Sequence, residues 1–253
     1  MSTKNPTACL LVIGNEVLSG RTRDANIQFL ATGLGDLGIP MREVRVIPDV
    51  PETIIGTVNE VRRKFDYVFT TGGIGPTHDD ITSECIAAAF GVPWEPHPVA
   101  WPRMEASYKP GEFNAARQRM ATMPRGASLI ENTISVAPGF QLENVYVMAG
   151  VPRIMQAMFT ALEDILPRGK SIAMRAVYGI GVLEGDIAEG LTAIQNRFPE
   201  LDLGSYPFRD GAGAGGVAIV AKGTDAAQAE ASIVEVTALF ESLGATVVQG
   251  EPG

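Results

Sequence analysis

Between Ala8 and Phe90 the chain alternates apolar runs with amphipathic helix patterns, and this alternation constrains the fold more than any other feature. Ala8 to Gly14 is a continuous apolar run ending in glycine, as expected of a strand buried on both faces. Asp24 to Leu37 carries Ile27, Leu30, Leu34 and Leu37 at helical spacing and is closed by Gly38. Val44 to Ile47 reads as a second strand. Pro51 then stands at a first helical position, with Ile54, Ile55, Val58, Val61 and Phe65 on one face behind it. Asp66 to Thr71 reads as a third strand, and Ile81 to Phe90 as a helix stopped by Gly91 and Pro93. Strands with two apolar faces need a helix layer on each. The pattern therefore predicts an α/β fold, a mostly parallel sheet between helices.

Residues 94–125 read as mostly helical, with Trp101, Met104, Tyr108, Phe113 and Met120 available for packing. Short strands are expected between Ala127 and Met148, and Pro152 opens a helix running to about Leu166. Pro167-Arg168-Gly169 reads as a linker, which divides the chain into a main domain, 1–167, and a smaller one, 170–253. The smaller part runs strand (Ile172–Tyr178), helix (Asp186–Phe198), strand (Leu201–Phe208), strand (Val217–Lys222), helix (Ala226–Leu243), strand (Ala245–Val248). That βαββαβ order predicts a small ferredoxin-like α+β unit. Its DGAGAGG segment, Asp210 to Gly216, lies between two strands with no helix start behind it, so it reads as a flexible hairpin rather than a phosphate loop.

Composition narrows the function. With 45% hydrophobic residues among 253, the chain can bury a core. It has no apolar stretch near the roughly 18 residues of a membrane span, and MSTKNPTACLLVIGNE has no signal-cleavage pattern, so a cytoplasmic setting is expected. Cys9 and Cys85 fall in an apolar strand and on an apolar helix face, where structural thiols are expected. A net charge of −9 with scattered Lys and Arg argues against nucleic-acid polymers as partners, because phosphate neutralisation dominates that affinity. A small phosphorylated ligand, held by backbone N–H groups and a metal ion, remains open.

The chemistry concentrates where strands end. TTGGIGPTHDDIT follows the third strand and opens a helix, and open α/β sheets bind ligands at that edge. Gly72, Gly73 and Gly75 let a ligand approach the backbone, and the helix start offers unpaired N–H groups to an anion. Asp79 and Asp80 would repel a phosphate unless a divalent cation bridges them to it. An ordinary glycine turn with Asp80 as helix N-cap would read the same way. Glu16, in GNEVLSG after the first strand, and Asp49, in IPD after the second, bring further carboxylates to this edge, and Asp49 could equally cap its helix. Gly14 closes the first strand, and APGF and MAGVP place Gly150 before another helix start, where plain strand-to-helix punctuation is the alternative. His78 reads as a polar surface contact rather than a metal ligand, and His97, between two prolines, as structural or exposed.

Taken together, TTGGIGPTHDD with DIT, GNEVLSG with Asp24 and Asn26 behind it, IPD, MPRGASLIEN, APGF and GVP resemble the N-terminal domain of the competence/damage-inducible CinA proteins. They are also similar to the related domain attached to eukaryotic FAD synthases. The resemblance runs from about Ala8 to Met158, and GDIAEGL is more loosely similar to the family's second small subdomain. The wider group includes MogA, MoaB and gephyrin-type domains that bind or adenylylate molybdopterin. The resemblance implies a three-layer molybdopterin-binding-type fold, usually in homo-oligomers. It also implies a divalent-metal-dependent pyrophosphatase that cleaves ADP-ribose to AMP and ribose 5-phosphate, with FAD as another substrate. By position, Asp49 and Asp80 match acidic residues of the family pattern, Glu16 its first-loop acid, and Thr71, Gly72, Gly73 and Gly75 its phosphate-binding loop. Two departures stand out. The nicotinamide mononucleotide deamidase domain of full-length CinA proteins is not in this sequence, so that activity is expected to be absent. Asp24-Ala25-Asn26 replaces the usual Asp-Thr-Asn.

The expected mechanism uses Asp80, Asp49 and Glu16 or Asp79 to hold magnesium, manganese or cobalt, with Asp79 accepting a proton from water. Gly14 and Gly150 join the ligand-binding set. A non-catalytic molybdopterin- or nucleotide-binding module and a molybdopterin adenylyltransferase stand as alternatives.

Overall fold

The computed structural model describes residues 5–209 and 215–252, so the turn expected at Asp210 to Gly216 lies largely outside the described residues. The chain divides into two compact units, Met1–Gly169 and Lys170–Gly253. The first unit runs β1 (Ala8–Ile13), α1 (Asn15–Leu18), α2 (Asn26–Asp36), β2 (Met41–Ile47), α3 (Pro51–Lys64), β3 (Tyr67–Thr71), α4 (Thr82–Phe90), β4 (Trp94–Pro96), α5 (Ala100–Glu105), α6 (Ala115–Arg119), β5 (Thr122–Pro124), β6 (Ser128–Ile130), β7 (Gly139–Leu142), β8 (Val145–Met148) and α7 (Pro152–Glu163).

Its main sheet has the order β2-β1-β3-β8-β7-β6. The first three pairings in that order are parallel, whereas β7 runs antiparallel to both β8 and β6. Strand β1 is buried along its whole length because its two faces feed two separate cores. Cys9, Leu11 and Ile13 pack with Ile54, Val58 and Val61 of α3 and with Cys85 and Ile86 of α4. Ala8, Leu10 and Val12 pack with Leu30 and Leu34 of α2 and with Met155, Phe159 and Leu162 of α7. This is the three-layer arrangement that the doubly apolar strands predict. Truncating Leu10 or Leu11, both fully buried, to alanine would cost about 2–5 kcal/mol.

Helix starts and stops follow local chemistry. Pro51 and Pro152 occupy the first turns of α3 and α7, and Gly91 ends α4 in the left-handed conformation at φ 67°. Asp24 Oδ1 accepts the N–H groups of Asn26 and Ile27 at 3.1 and 2.8 Å and so caps α2.

One expectation fails. Residues 94–125 are not mostly helical: α5 and α6 span only 6 and 5 residues, flanked by the short β4–β5 pair. Pro96, Pro98, Pro110 and Gly111 break the periodic pattern, which tertiary packing then folds into a small lobe. Its aromatic residues do pack: Phe113 meets Trp101 edge-on at 5.1 Å and stacks on Tyr108 at 6.0 Å.

The second unit runs β9 (Ala173–Ile180), α8 (Glu184–Arg197), β10 (Asp202–Arg209), β11 (Gly215–Gly223), α9 (Ala226–Ser242) and β12 (Thr246–Gln249). Its antiparallel sheet, in the order β10-β11-β9-β12, has the predicted ferredoxin-like connectivity. Val177 and Ile219 pack against Ile187 and Ile194 of α8 and Val236 and Phe240 of α9. Among the described residues, no helix is long and apolar enough to cross a membrane.

Candidate functional site

Because β1, β2, β3 and β8 are mutually parallel, their carboxyl ends share one edge. Each delivers a loop to it: Gly14 to Asn26, Pro48 to Val50, Gly72 to Ile81, and Ala149 to Val151.

The loop after β3 is shaped by glycine. Gly72 has φ 102°, and a Cβ there would lie 2.1 Å from the Ile13 carbonyl oxygen, so no other residue fits. Gly73, at φ 68°, leaves 2.2 Å between such a Cβ and Thr82 Oγ1, while its carbonyl accepts the Thr82 N–H at 3.0 Å. A Cβ on Gly75 would strike Asp80 Oδ2 at 2.6 Å. Thr71 is 1% exposed at the end of β3. Gly150 comes close to Gly72, a Cβ on it standing 3.2 Å from the Gly72 Cα. Gly14 is overhung by Glu16, whose Oε1 would lie 2.6 Å from a Gly14 Cβ.

Neither aspartate that could have capped a helix does so. Helices α3 and α4 both begin without a side-chain cap bond. Asp49 Oδ2 instead accepts the Asn15 N–H at 2.8 Å, tying the second loop to the first. Asp80 Oδ2 folds back into its own loop and accepts from Thr77 N at 2.8 Å and Thr77 Oγ1 at 2.6 Å. Thr77 Oγ1 also lies 2.6 Å from Asp79 Oδ1, so one hydroxyl proton serves both carboxylates.

The electrostatics separate these acids. The Thr77 hydroxyl holds the Asp79 carboxyl below the ordinary aspartate range. Asp49 is pushed up, first by burial and then by the neighbouring Glu16 and Asp79 carboxylates, against the lowering effect of the Asn15 N–H. Asp49, Glu16 and Asp79 therefore share one negative field, whereas Asp80 is committed to holding the loop. The expected metal set of Asp80, Asp49 and Glu16 is not gathered into a ready-made cage: among the described residues, no three His, Cys, Asp or Glu side chains form one.

His78 is 97% exposed, consistent with a surface contact. His97 is structural: Nδ1 accepts the Val99 and Ala100 N–H groups at 3.2 and 3.1 Å, which leaves Nε2–H to donate to the Ala127 carbonyl at 3.1 Å. Both cysteines are buried free thiols, with burial pushing Cys9 up to about 12 and Cys85 up to about 11.

Sequence reasoning missed several residues of this edge. Arg119 Nη2 donates to the Asp80 carbonyl oxygen at 3.1 Å, and its guanidinium lies 5.1 Å from the Trp94 ring centre. Arg119 comes from the misjudged 94–125 stretch, and nothing in its spacing marks it. Asn26, read from the sequence only as part of the first-loop motif, is 3% exposed and donates through Nδ2 to the Gly150 carbonyl at 2.9 Å, locking the first loop to the last. Thr77 sits inside the glycine motif, where a hydroxyl two and three positions before two aspartates was the available signal.

Comparison with known proteins agrees with this architecture. Residues 9–168 match the family described as a probable molybdopterin binding domain, and residues 174–249 match the middle domain of FAD synthase. A protein from Pyrobaculum calidifontis is 34% identical over 212 residues, covering 80% of this chain and 81% of its own length. A CinA-like protein from Frankia casuarinae is 33% identical over 258 residues, or 95% of this chain and 60% of that protein. The crystal structure of a CinA protein of unknown function from Thermoplasma acidophilum superposes with a TM-score of 0.60 at 30% identity, over 64% of this chain and 99% of that one. A glycine loop and acidic strand ends on a three-layer sheet, with matching sequence from residue 9 to 168, place this chain in the molybdopterin-binding domain family, among its CinA-like members.

Proposed function

We propose that the first unit binds a diphosphate-linked nucleotide at this sheet edge and hydrolyses it with a divalent metal ion, cleaving ADP-ribose to AMP and ribose 5-phosphate, with FAD as a second substrate. The observation that carries this reading is the shared negative field of Asp49, Glu16 and Asp79 beside a loop and two uncapped helix starts suited to anions. Acids placed next to a phosphate site repel the ligand unless a cation lies between them.

The residues fit an ion of the magnesium type, which takes one or two carboxylates and completes its shell with water and phosphate oxygens, rather than one needing an all-protein cage. Asp49 and Glu16 would hold it. When bound, it supplies charge neutralisation and a water of lowered pKa. The backbone amides of Gly73 to Gly75 orient the diphosphate, the Gly72 N–H being held by the Met148 carbonyl. Asp80, through Thr77, fixes the loop that presents them. Asp79, exposed and ionised to low pH, accepts the proton as water oxygen bonds to phosphorus; the bridging P–O bond breaks and the second phosphate leaves with its oxygen.

A binding module without turnover is the second reading, favoured by the description of the family matched over residues 9–168. Phosphorus NMR of ADP-ribose, and separately of FAD, with and without magnesium, manganese or cobalt distinguishes the two. AMP formation supports hydrolysis. Unchanged substrates, together with saturable binding of molybdopterin, would replace it with the module.

A further inference from the structure

A cavity of about 50 Å³ opens beside the first loop, lined among others by Glu16, Thr22, Asn26, Thr71 and Gly150, with Val17 and Pro152 as apolar walls. Two of its polar groups are anomalous. Thr71 Oγ1 and Asn26 Oδ1 are buried and have no hydrogen-bond partner, in residues 1% and 3% exposed. Buried polar atoms without partners are costly, and two on the wall of one cavity mark a place where a ligand can satisfy them. The Asn26 amide cannot simply turn over, because Nδ2 is held by the Gly150 carbonyl at 2.9 Å. Oδ1 is therefore an acceptor in want of a donor. Glu16 adds acceptor oxygens to the same wall, and the Thr71 hydroxyl can give or take a proton.

We infer that this cavity is the subsite for a ribose ring of the bound nucleotide, recognising its vicinal hydroxyls. Asn26 Oδ1, Glu16 and Thr71 offer acceptors to a ligand with O–H donors, while Arg23 on the same wall offers donors to its oxygens. None of the lining residues is aromatic, which removes the stacking surface a base would use. A diol can donate one hydroxyl to Asn26 Oδ1 and exchange a bond with Thr71 Oγ1 while its carbon face rests on Val17 and Pro152. The cavity adjoins the glycine loop through Thr71 and Gly150, so a sugar seated there keeps its phosphate beside that loop. The inference rests on the reading of this edge as a nucleotide site and adds what it selects.

The test is calorimetric binding, with magnesium present, of AMP against 2′-deoxy-AMP and of ribose 5-phosphate against its 2-deoxy form, alongside ADP-ribose turnover. The subsite predicts that at least one diol ligand binds about tenfold more tightly than its deoxy partner. It also predicts that Thr71→Val and Asn26→Leu each erase most of that difference between diol and deoxy ligands. Thr71→Val removes only a hydroxyl and keeps the test valid if Asn26→Leu fails to fold. Equal binding of both members of each pair, as a cavity holding only water would give, overturns the subsite, and continued ADP-ribose turnover would show the hydrolase reading intact. Diol-selective binding without ADP-ribose turnover keeps the subsite and overturns the hydrolase. Selectivity unaltered in both variants, or no binding of any of the four ligands, overturns the subsite.

Discussion

The Asp49 carboxylate accepts the Asn15 backbone N–H at 2.8 Å, and this bond joins the loop after β2 to the loop after β1. It orients an acid that burial and two neighbouring carboxylates make reluctant to ionise. A raised pKa means that the native state keeps its proton to a higher pH than the unfolded chain does. The stability this contributes is present below the ordinary aspartate value of 3.8 and is lost as pH rises through the native value. Asp49→Asn should therefore melt above the parent at pH 7 without metal, with the gain vanishing near pH 3. Magnesium should raise the parent's melting temperature more than the variant's. Thermal melts across pH, with and without magnesium, test both statements, and a variant less stable at every pH would contradict them.

Thr77 supplies the hydroxyl that keeps Asp79 ionised at low pH. In Thr77→Val the Asp79 pKa should rise toward its ordinary value, moving the acid limb of the kcat/KM profile for ADP-ribose to higher pH. The same change loosens Asp80, so kcat should fall even on the pH plateau. A profile identical in shape and height would remove Asp79 from proton transfer and Thr77 from loop positioning.

Gly72 allows the close approach on which the loop depends. Gly72→Ala places a methyl group 2.1 Å from the Ile13 carbonyl oxygen at a backbone angle of φ 102°. Urea unfolding should report a loss of about 2–4 kcal/mol. Gly35→Ala is the control, since its Cβ meets nothing within 4 Å in the last turn of α2 and should stabilise slightly.

Arg119 reaches the Asp80 carbonyl oxygen from the small β4–β5 lobe. Arg119→Met keeps an unbranched apolar stem and removes both the donor and the guanidinium over Trp94. A shift of the loop by a fraction of an ångström should lower kcat about 10- to 100-fold with little change in KM. A rise in KM alone would mean that Arg119 binds ligand rather than positioning the loop.

The layered core was legible because Leu10 and Leu11 are adjacent and both apolar, a pattern that only a sheet covered on two sides accommodates. The glycine loop was legible as a site for the same kind of reason: three glycines and two acids exceed what a helix cap needs. What Asp80 does was not legible, because the spacing does not tell a carboxylate that turns back to Thr77, three positions before it, from one that caps the helix ahead. The Asn26–Gly150 bond links residues 124 apart in sequence, so no local pattern announces it. The 94–125 lobe was misread because its apolar residues repeat at near-helical intervals, whereas its prolines and Gly111 permit only short turns.

AMP release from ADP-ribose by the parent, Asp49→Asn and Asp80→Asn, each with and without magnesium, decides whether this sheet edge is a metal-dependent hydrolase. The parent should form AMP only when metal is present. Turnover should fall about 100-fold or more in Asp49→Asn, and only partly in Asp80→Asn, where the amide can still accept from Thr77. Turnover by Asp49→Asn equal to that of the parent, or AMP formation unaffected by metal, would contradict that reading.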